Sequence, residues 1–158
     1  MGLLDEKNQS NNMQLIVGCG PNWPKRNGDV FLDVRPFAGV DVVHDLNIIQ
    51  WPFSDDSMNE ISAIHVVEHL DSLLDFMNEC HRILKPGGAL YIETPEAGAN
   101  PDLQFADPTH VRCYRKHTFV NYFTRSEAPK FGYTDKHWSI WHLEAKDGNL
   151  IFHGQPIK

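Results

Sequence analysis

The order of predicted elements indicates an α/β fold with a mostly parallel sheet and a C-terminal antiparallel hairpin. Short apolar runs typical of buried strands are followed by one helical segment, and the chain then ends in a strand–turn–strand pattern. The chain has 158 residues, of which 41% are hydrophobic, enough for one domain with its own core. Residues 1–13 are polar and lack periodicity, so we expect a flexible tail there and a single domain over 14–158.

Five strands before the hairpin are predicted from β-rich runs bounded by turn residues. They are expected at 14–17, 29–34, 40–43, 61–67 and 89–94. The run at 61–67 (ISAIHVV) is almost wholly apolar or β-branched, as in a parallel strand that is covered on both faces.

The helical signals are fewer. Apolar residues recur at helical spacing between Leu70 and Leu84, with Asp71 or Ser72 placed to cap the start and KPGG at 85–88 to end the helix. Residues 95–114 are rich in Pro, Asn and Asp and are predicted to be loop, and a short helix is expected at 117–123. Asp-Gly at 147–148, between two alternating stretches, predicts the terminal hairpin.

The connection between the first two strands is too short for an ordinary crossover helix. Only residues 21–28 separate the first glycine loop from the second strand, and Pro21 and Pro24 disfavour helix within them. We therefore expect the first crossover helix to be reduced or absent.

Composition excludes some classes of function. The net charge of −7 disfavours a nucleic-acid-binding surface, and no apolar run is long enough to cross a bilayer. Three widely spaced cysteines fit reduced thiols, and the start of the chain does not have the pattern of a secretion signal. We expect a cytoplasmic protein.

Candidate ligand-binding residues follow the predicted strands, where ligands bind in sheets of this type. The glycines at 18 and 20 would let backbone N–H groups approach a ligand, Asp33 could accept both ribose hydroxyls of an adenosine, and Asp45 could accept from the adenine amine while Leu46 packs on the ring. The alternatives are an ordinary glycine turn and acids that cap turns or lie in loops.

Together with longer segments, these residues resemble the class I S-adenosylmethionine-dependent methyltransferases, in particular the small type-11-like group. The matching segments, in the family's order, are VGCG at 17–20, LDVRP at 32–36, HDL at 44–46, WPFSDDSMNEI at 51–61, HVVEHL at 65–70, HRILKPGG at 81–88 and DPTHVR at 107–112. The resemblance implies a Rossmann-like domain, S-adenosyl-L-methionine as cofactor, and methyl transfer. The cofactor-binding residues that it implies are Gly18, Cys19, Gly20, Asp33, Val34, Asp45, Leu46 and His65.

The sequence departs from the family at the glycine loop. The usual G-x-G-x-G has Asn22 at its third glycine position. The helix that normally follows brings its N-terminus near the methionine part of the cofactor, so loop amides must take its place here.

The segment His65-Val66-Val67-Glu68-His69 also matches the H-x-x-E-H motif of zinc peptidases. That alternative needs both histidines on one helix face and a third ligand, for which Glu144 is a candidate. The β-branched run before the motif instead continues a strand, which favours the methyltransferase interpretation. A second metal-like spacing, formed by His110, Cys113 and His117, lies in a predicted loop. We predict no metal site.

A basic cluster is the candidate for the acceptor side of the pocket. Its members are His110, Arg112, Arg115, Lys116 and His117. We expect Arg112, Arg115 and His117 to meet a phosphate or carboxylate on the acceptor, the alternative being a solvated basic face.

The sulfonium of S-adenosylmethionine is already a good methyl donor, so the protein must chiefly hold the acceptor in line and exclude water. An acceptor oxygen would lose a proton, for which His110 is the first candidate base and His65 the second, with Asp107 orienting His110.

We predict methyl transfer to a small-molecule or glycan-type acceptor that carries an anionic group. The alternative is a protein that binds S-adenosylmethionine or S-adenosylhomocysteine without turnover, since the shortened glycine loop weakens the case for catalysis. Nucleic-acid and membrane partners are not expected. A homodimer through the exposed edge of the hairpin is expected.

Overall fold

The sheet of this computed structural model, which describes residues 13–98 and 101–158, contains seven strands. They are β1 (Gln14–Val17), β2 (Asp29–Asp33), β3 (Val42–Val43), β4 (Met58–Ile64), β5 (Leu84–Pro95), β6 (His137–Lys146) and β7 (Asn149–Ile157). Their order is β3-β2-β1-β4-β5-β7-β6; the first five are parallel, and β7 and β6 add an antiparallel hairpin. The predicted fold class is confirmed. The tail expected at 1–13 falls, but for Met13, outside the described residues.

The helices of the described part are α1 (Leu73–Ile83), α2 (Pro101–Ala106) and α3 (Lys116–Phe123), with 3-10 turns at Val67–His69 and Ala128–Lys130. The predicted cap of α1 is Ser72, whose hydroxyl accepts from the Asp75 N–H at 3.2 Å. Helix α2 lies in a stretch predicted to be loop; it begins at a proline, a residue favoured at the first position of a helix. None of the described helices has the length and apolar composition needed to span a membrane.

Residues 18–28, all of which the structure describes, contain no helix. The expectation of a missing first crossover helix is therefore confirmed. Strands β1 and β2 are adjacent and parallel, with Gln14 paired to Asp29, so residues 18–28 form the whole connection between them.

Strand β4 ends three residues earlier than its apolar run predicts. His65 still donates its backbone N–H to the Glu93 carbonyl, but it adopts a left-handed conformation with φ of 53°. A histidine in this conformation is under strain, and the chain leaves the sheet there. The 3-10 turn Val67–His69 follows, rather than a continuation of the strand.

Alternation along β1 divides its side chains between two apolar clusters. Leu15 and Val17 face the main core, which includes Phe76 and Met77 of α1. Ile16 faces a smaller cluster on the other side of the sheet, with Cys19 and Phe31. Strand β1 is therefore packed on both faces of the sheet.

Strand β6 forms one edge of the sheet. An edge strand presents unpaired backbone groups, which is the feature that motivates the expected homodimer. The homodimer stays a prediction.

Candidate active site

A cleft of about 580 Å³ opens where β1, β2 and β4 end. Such a position at the carboxyl ends of parallel strands is the usual ligand site of open α/β sheets. The residues that line it are Gly18, Leu32, Asp33, Val34, Arg35, His44, Asp45, Leu46, Asn47, His65, Val66, His69, Leu70, Asp107 and Thr109.

The backbone at Gly18 closes one side of this cleft and cannot carry a side chain without strain. Its φ is +61°, and a Cβ built there would lie 2.6 Å from Cγ2 of Val66. Glycine is therefore required both by the backbone conformation and by the close approach of Val66. The result is a bare stretch of main chain that a ligand can approach.

Asp33 ends β2 at the cleft with its side chain almost fully buried. Its Oδ2 accepts from the Gly20 N–H at 2.9 Å and its Oδ1 from the Arg35 N–H at 3.0 Å. Each carboxylate oxygen retains a second lone pair, so Asp33 can still accept hydroxyl groups of a ligand.

A second carboxylate lies after β3. Asp45 Oδ1 accepts from the Asn47 N–H at 2.9 Å, which fixes the carboxylate in a turn beside buried Leu46. Both residues line the cleft together with Asp33. The arrangement offers an apolar surface for a flat ring and acceptors at two separate points.

Six of the eight residues that we expect to bind the cofactor line the cleft, namely Gly18, Asp33, Val34, Asp45, Leu46 and His65. Cys19 instead packs into the smaller cluster with Ile16 and Phe31. Burial, assisted by the nearby Asp33 carboxylate, raises the pKa of the Cys19 thiol. Gly20 does not line the cleft either, and contributes its N–H to Asp33. The cofactor roles of these eight residues stay predictions.

Glu68 is the most deeply buried charged side chain at this end of the sheet, with 1% of its surface exposed. Its Oε2 accepts from the Thr94 hydroxyl at 3.0 Å, and its Oε1 lies 3.2 Å from His65 Nδ1. The hydrogen bond from His65 to Glu68 is the main reason why the pKa of His65 is raised. His65 is thereby oriented in the cleft wall by a buried carboxylate.

The sequence signature DPTHVR packs directly on the Val67–His69 turn. The Glu68 carbonyl accepts from the N–H groups of Val111 (2.9 Å) and Arg112 (3.2 Å), and the Tyr114 hydroxyl donates to the Val67 carbonyl at 3.2 Å. Two segments that lie about forty residues apart in sequence therefore form one wall of the site.

His69 and His110 meet in this wall, with their ring centroids 4.8 Å apart in an edge-to-face arrangement. His69 lines the cleft, whereas His110 does not and packs against His69. The Nε2 of His110 is 4.0 Å from Asp107 Oδ2, beyond hydrogen-bond distance. His110 as the base oriented by Asp107 stays a prediction, and of the two candidate bases only His65 lines the cleft.

The geometry needed by the zinc-peptidase alternative is not found among these residues. His65 precedes the 3-10 turn that contains His69, so the two histidines do not share a helix face. Glu144, its candidate third ligand, lies on β6 and pairs with His142 at 3.2 Å. Within the described part of the chain, the donor group that does form joins Glu68, His69 and His110 and includes neither Cys113 nor His117.

A smaller groove of about 280 Å³ lies beside the start of α1. Most of its surface is apolar, and the residues that line it are Asp71, Ser72, Leu73, Leu74, Arg112, Tyr114, Thr118, Tyr122, Phe123 and Tyr133. Leu70 lines the cleft and Asp71 lines the groove, so the two depressions adjoin the same chain segment.

The predicted basic cluster does not converge on one point. Arg112 lines the groove and donates to the Asp71 carbonyl at 3.0 Å. Arg115 lies against Gly98, and His117 is exposed at the start of α3. Acceptor-binding roles for these three residues stay predictions. Of the three, Arg112 lines the groove.

The sequence prediction missed several residues of the cleft wall. Those are Leu32, Arg35, His44, Asn47, Val66, His69, Leu70 and Thr109. Most of these residues are direct sequence neighbours of a predicted residue. Their position near the end of a strand was the signal that could have found them. His69 and Thr109 carry no such signal, because their meeting depends on how the 107–114 segment folds back.

Comparison with known proteins assigns the family. A family model described as a methyltransferase domain matches residues 9–128. A protein of Mycolicibacterium smegmatis named "Probable S-adenosylmethionine-dependent methyltransferase" is 38% identical over 59 residues, 37% of this chain and 23% of that protein. The demethylmenaquinone methyltransferase of Chlorobaculum parvum is 44% identical over 50 residues, 32% of this chain and 21% of that protein. The matches thus span about a fifth of the length of these curated relatives.

Solved structures agree in fold. A SAM-dependent methyltransferase from Archaeoglobus fulgidus has a TM-score of 0.62 at 15% identity, over 90% of this chain and 85% of that one. One from Aquifex aeolicus has a TM-score of 0.61 at 15% identity, over 91% and 81%. At these identities the likeness shows the fold alone. Because the family model covers most of the chain, the chain belongs to the methyltransferase-domain family, within the class I S-adenosylmethionine-dependent methyltransferases.

Proposed function

We propose that this chain transfers the methyl group of S-adenosylmethionine to a small-molecule acceptor that carries an aromatic or apolar body and one polar or anionic group. The observation that carries the cofactor part is the pair of acids in the cleft, Asp33 at the end of β2 and Asp45 after β3, together with Leu46 in the same lining. This pair matches the polar groups of an adenosine, with ribose hydroxyls at one end and an exocyclic amine at the other.

The residues present fit S-adenosylmethionine on a structural test. A Cβ at Gly18 would collide with Val66, and Gly18 itself lines the cleft, so the chain presents bare backbone at this part of the cleft wall. In this assignment Asp33 accepts the ribose hydroxyls, Asp45 accepts the adenine amine, and Leu46 packs on the ring.

The cofactor supplies a sulfonium-activated methyl group, and the protein supplies alignment. The cleft wall formed by His65, His69 and Thr109 lies where the strand and the 107–114 segment meet. These groups hold an acceptor and exclude water from it. Where the acceptor carries a proton, His65 is placed to receive it, because Glu68 fixes its ring through Nδ1 and no hydrogen bond from the described residues occupies Nε2.

The groove beside α1 favours an aromatic acceptor over a glycan. Four aromatic side chains and two leucines line it, and Arg112 provides a single cation at its edge. A glycan would instead need many hydrogen-bonding groups. The relatives whose names include demethylmenaquinone, a largely apolar aromatic compound, point in the same direction.

The test is formation of S-adenosylhomocysteine with two acceptor sets at equal concentrations, hydroxylated aromatic compounds (among them the quinol form of demethylmenaquinone) and sugar nucleotides. We expect turnover with a member of the aromatic set and none with sugar nucleotides. Leu74→Lys places a charge in the groove and should raise acceptor KM by about tenfold or more. Val43→Lys, at an exposed position outside the groove, is the matched control and should leave acceptor KM unchanged.

The two outcomes separate the candidates. Turnover of sugar nucleotides alone would replace the aromatic acceptor by a glycan. Tight binding of S-adenosylhomocysteine without turnover of any acceptor would favour the non-catalytic binder. The specific observation in favour of that candidate is the helix-free connection at 18–28.

A further inference from the structure

We propose that Glu68, His69 and His110 bind one divalent metal ion of the Zn²⁺ class at the edge of the cleft. Binding of the ion does not depend on the proposed function; only its part in methyl transfer rests on that function. The sequence motifs do not predict this set, because the third ligand comes from a segment forty residues away that folds back onto the Val67–His69 turn.

The first observation is the convergence of three donors of the right kinds. One donor atom from each of the three residues lies within 4.8 Å of those of the other two. Bonds to zinc are about 2.0–2.2 Å long, so each donor must move inward by no more than about an ångström. His69 lies in a 3-10 turn and His110 in a loop, elements that permit such a shift.

The second observation is that the hydrogen bonds fix which nitrogen of His69 is free. The Thr109 hydroxyl donates to Asp107 Oδ1 at 2.6 Å, so it can only accept from His69 Nδ1, which lies 3.0 Å away. The Thr109 carbonyl, 3.2 Å from the same nitrogen, also only accepts. His69 therefore carries its proton on Nδ1, and its neutral ring has a lone pair on Nε2.

His110 is held in the same way. Its Nδ1 lies 2.8 Å from the Gln104 carbonyl, which can only accept. Its lone pair is therefore also on Nε2. Donation of the remote N–H to a carbonyl is how metal-binding histidines are usually oriented in proteins, and here both rings have that partner before any ion is bound.

The third observation is the buried carboxylate beside the two histidines. Glu68 has 1% of its surface exposed, and its side-chain partners are the Thr94 hydroxyl and the ring of His65. A buried carboxylate is costly unless it is paired or coordinates a metal. A divalent ion beside Glu68 would compensate this charge more completely than those two partners do.

The donor set indicates the class of ion. Two imidazoles and one carboxylate form the protein ligands of several catalytic zinc sites, which leave a fourth position open for water or substrate. Imidazole also disfavours Mg²⁺ and Ca²⁺, which take oxygen ligands. The exposed Asp107 carboxylate, 4.0 Å from His110 Nε2, lies beside this donor set but is not needed as a ligand, so the fourth position stays open.

Within the proposed function, such an ion would act on the acceptor. Since His69 and Asp107 line the cleft, the open position would face it. An acceptor hydroxyl or thiol bound there would give its proton more readily to His65, and the oxygen or sulfur lone pair would then form the new bond to carbon as the S–CH₃ bond breaks and S-adenosylhomocysteine leaves.

The experiment is a titration of the metal-free full chain with Zn²⁺ against a chromophoric chelator, with Co²⁺ absorption as a second readout of coordination. We expect one ion per chain at micromolar affinity or tighter and a tetrahedral Co²⁺ spectrum. His69→Ala and His110→Ala should each weaken Zn²⁺ binding by about a hundredfold or more. His142→Ala is the matched control, because His142 and Glu144 form an exposed histidine–carboxylate pair on the hairpin. The Zn²⁺ affinity of His142→Ala should equal that of the wild type.

Thermal unfolding is used to check that the variants fold, and it gives an independent measure of Zn²⁺ binding. Zn²⁺ should raise the Tm of the wild type and of His142→Ala, and should leave the Tm of His110→Ala unchanged. The proposal is overturned if the folded wild type binds no stoichiometric ion, or if both His69→Ala and His110→Ala bind as tightly as the wild type. S-adenosylhomocysteine is titrated into the same samples: loss of its binding with the ion site intact would overturn only the proposed function.

Discussion

The backbone N–H of Gly20 donates to Oδ2 of Asp33 at 2.9 Å, so the glycine loop after β1 and the acid that ends β2 form one hydrogen-bonded unit. The other oxygen of Asp33 accepts from Arg35, which ties the following residues to the same carboxylate. The N–H groups of Gly18 and Cys19 donate to the Leu32 carbonyl at 2.8 and 3.4 Å, so this unit fixes the loop against β2 and does not offer these three amides to a ligand as a helix N-terminus would.

Replacement of Gly18 by alanine should destabilise the protein. The left-handed φ of +61° costs a non-glycine residue about 1–2 kcal/mol, and the new Cβ would lie 2.6 Å from Val66 Cγ2. The overlap adds a cost of about 1–3 kcal/mol, since the core must shift to relieve it. Chemical denaturation of Gly18→Ala should therefore show a loss of roughly 2–5 kcal/mol in the free energy of unfolding.

Gly132→Ala separates the two causes. Gly132 has a similar φ of +69°, but a Cβ added there would meet nothing within 4 Å, so this variant reports the backbone cost alone. Adding Val66→Ala to Gly18→Ala removes the overlap. Equal stability of Gly18→Ala and Gly132→Ala would show that Val66 does not enforce glycine at position 18.

Loss of the Glu79 carboxylate should also reduce stability. Arg82 donates to both oxygens of Glu79, at 2.9 and 2.8 Å, and the Trp51 N–H donates to Oε2 at 2.7 Å. Burial opposes ionisation of Glu79, but these hydrogen bonds outweigh it and lower its pKa. For Glu79→Gln we expect a loss of about 2 kcal/mol, below the value for a fully buried pair because Arg82 is 23% exposed.

The matched control for Glu79 is Glu127→Gln. Glu127 and Lys130 have the same i, i+3 spacing and a short contact of 2.7 Å, but their side chains are 35% and 63% exposed. An exposed pair of this kind contributes about 0.5 kcal/mol or less. If both substitutions cost the same, burial is not what gives the Glu79–Arg82 pair its strength.

The imidazole of His81 should make stability fall in mild acid. Burial lowers the pKa of His81, and the positive charges of Lys158 and Lys136 add to this, against the opposing hydrogen bond to the Ile157 carbonyl and the charge of Asp135. The unfolded chain therefore binds the proton more readily than the folded chain. The neutral form contributes its stability above the ordinary pKa of 6.5, and stability is lost as the pH falls from 6.5 through the lower folded-state pKa.

The check is thermal unfolding of the wild type and His81→Gln at about pH 8 and about pH 5. Glutamine can still donate to the Ile157 carbonyl but does not titrate. We expect the wild type to lose more Tm between the two pH values than His81→Gln does. An equal loss would mean that other groups carry the acid sensitivity.

Most of the fold could be predicted because its signals are local. Ser72 precedes an apolar helical period, and Asp147-Gly148 lies between two alternating runs, so α1 and the hairpin follow from neighbouring residues alone. The end of β4 could not be predicted in this way. Val66 and Val67 are as apolar as the strand, yet the chain leaves the sheet at His65, which takes a left-handed conformation.

The site was predictable only in part, for the same reason. Asp33 and Asp45 could be named because they lie at or just after the ends of predicted strands, and His65 because of the resemblance to the family; all three line the cleft. The contact between His69 and His110 depends on the 107–114 segment docking on the 67–69 turn, which no spacing in the sequence encodes. Cys19 is the opposite case, a residue predicted for the site that does not line the cleft. It lies in the glycine loop, but its side chain packs on the other side of the sheet.

The most direct test of the cofactor assignment is calorimetric titration of S-adenosylhomocysteine into the wild type, Asp33→Ala and Asp29→Ala. Asp29 is the matched control, since it lies at the opposite end of β2 and accepts from the Arg26 N–H, away from the cleft. We predict one site of micromolar or tighter affinity, weakened by about a hundredfold in Asp33→Ala, as expected for hydrogen bonds to a charged acceptor, and unchanged in Asp29→Ala. Absence of binding by the folded wild type, or equal affinity in Asp33→Ala, would contradict the assignment of this cleft to S-adenosylmethionine.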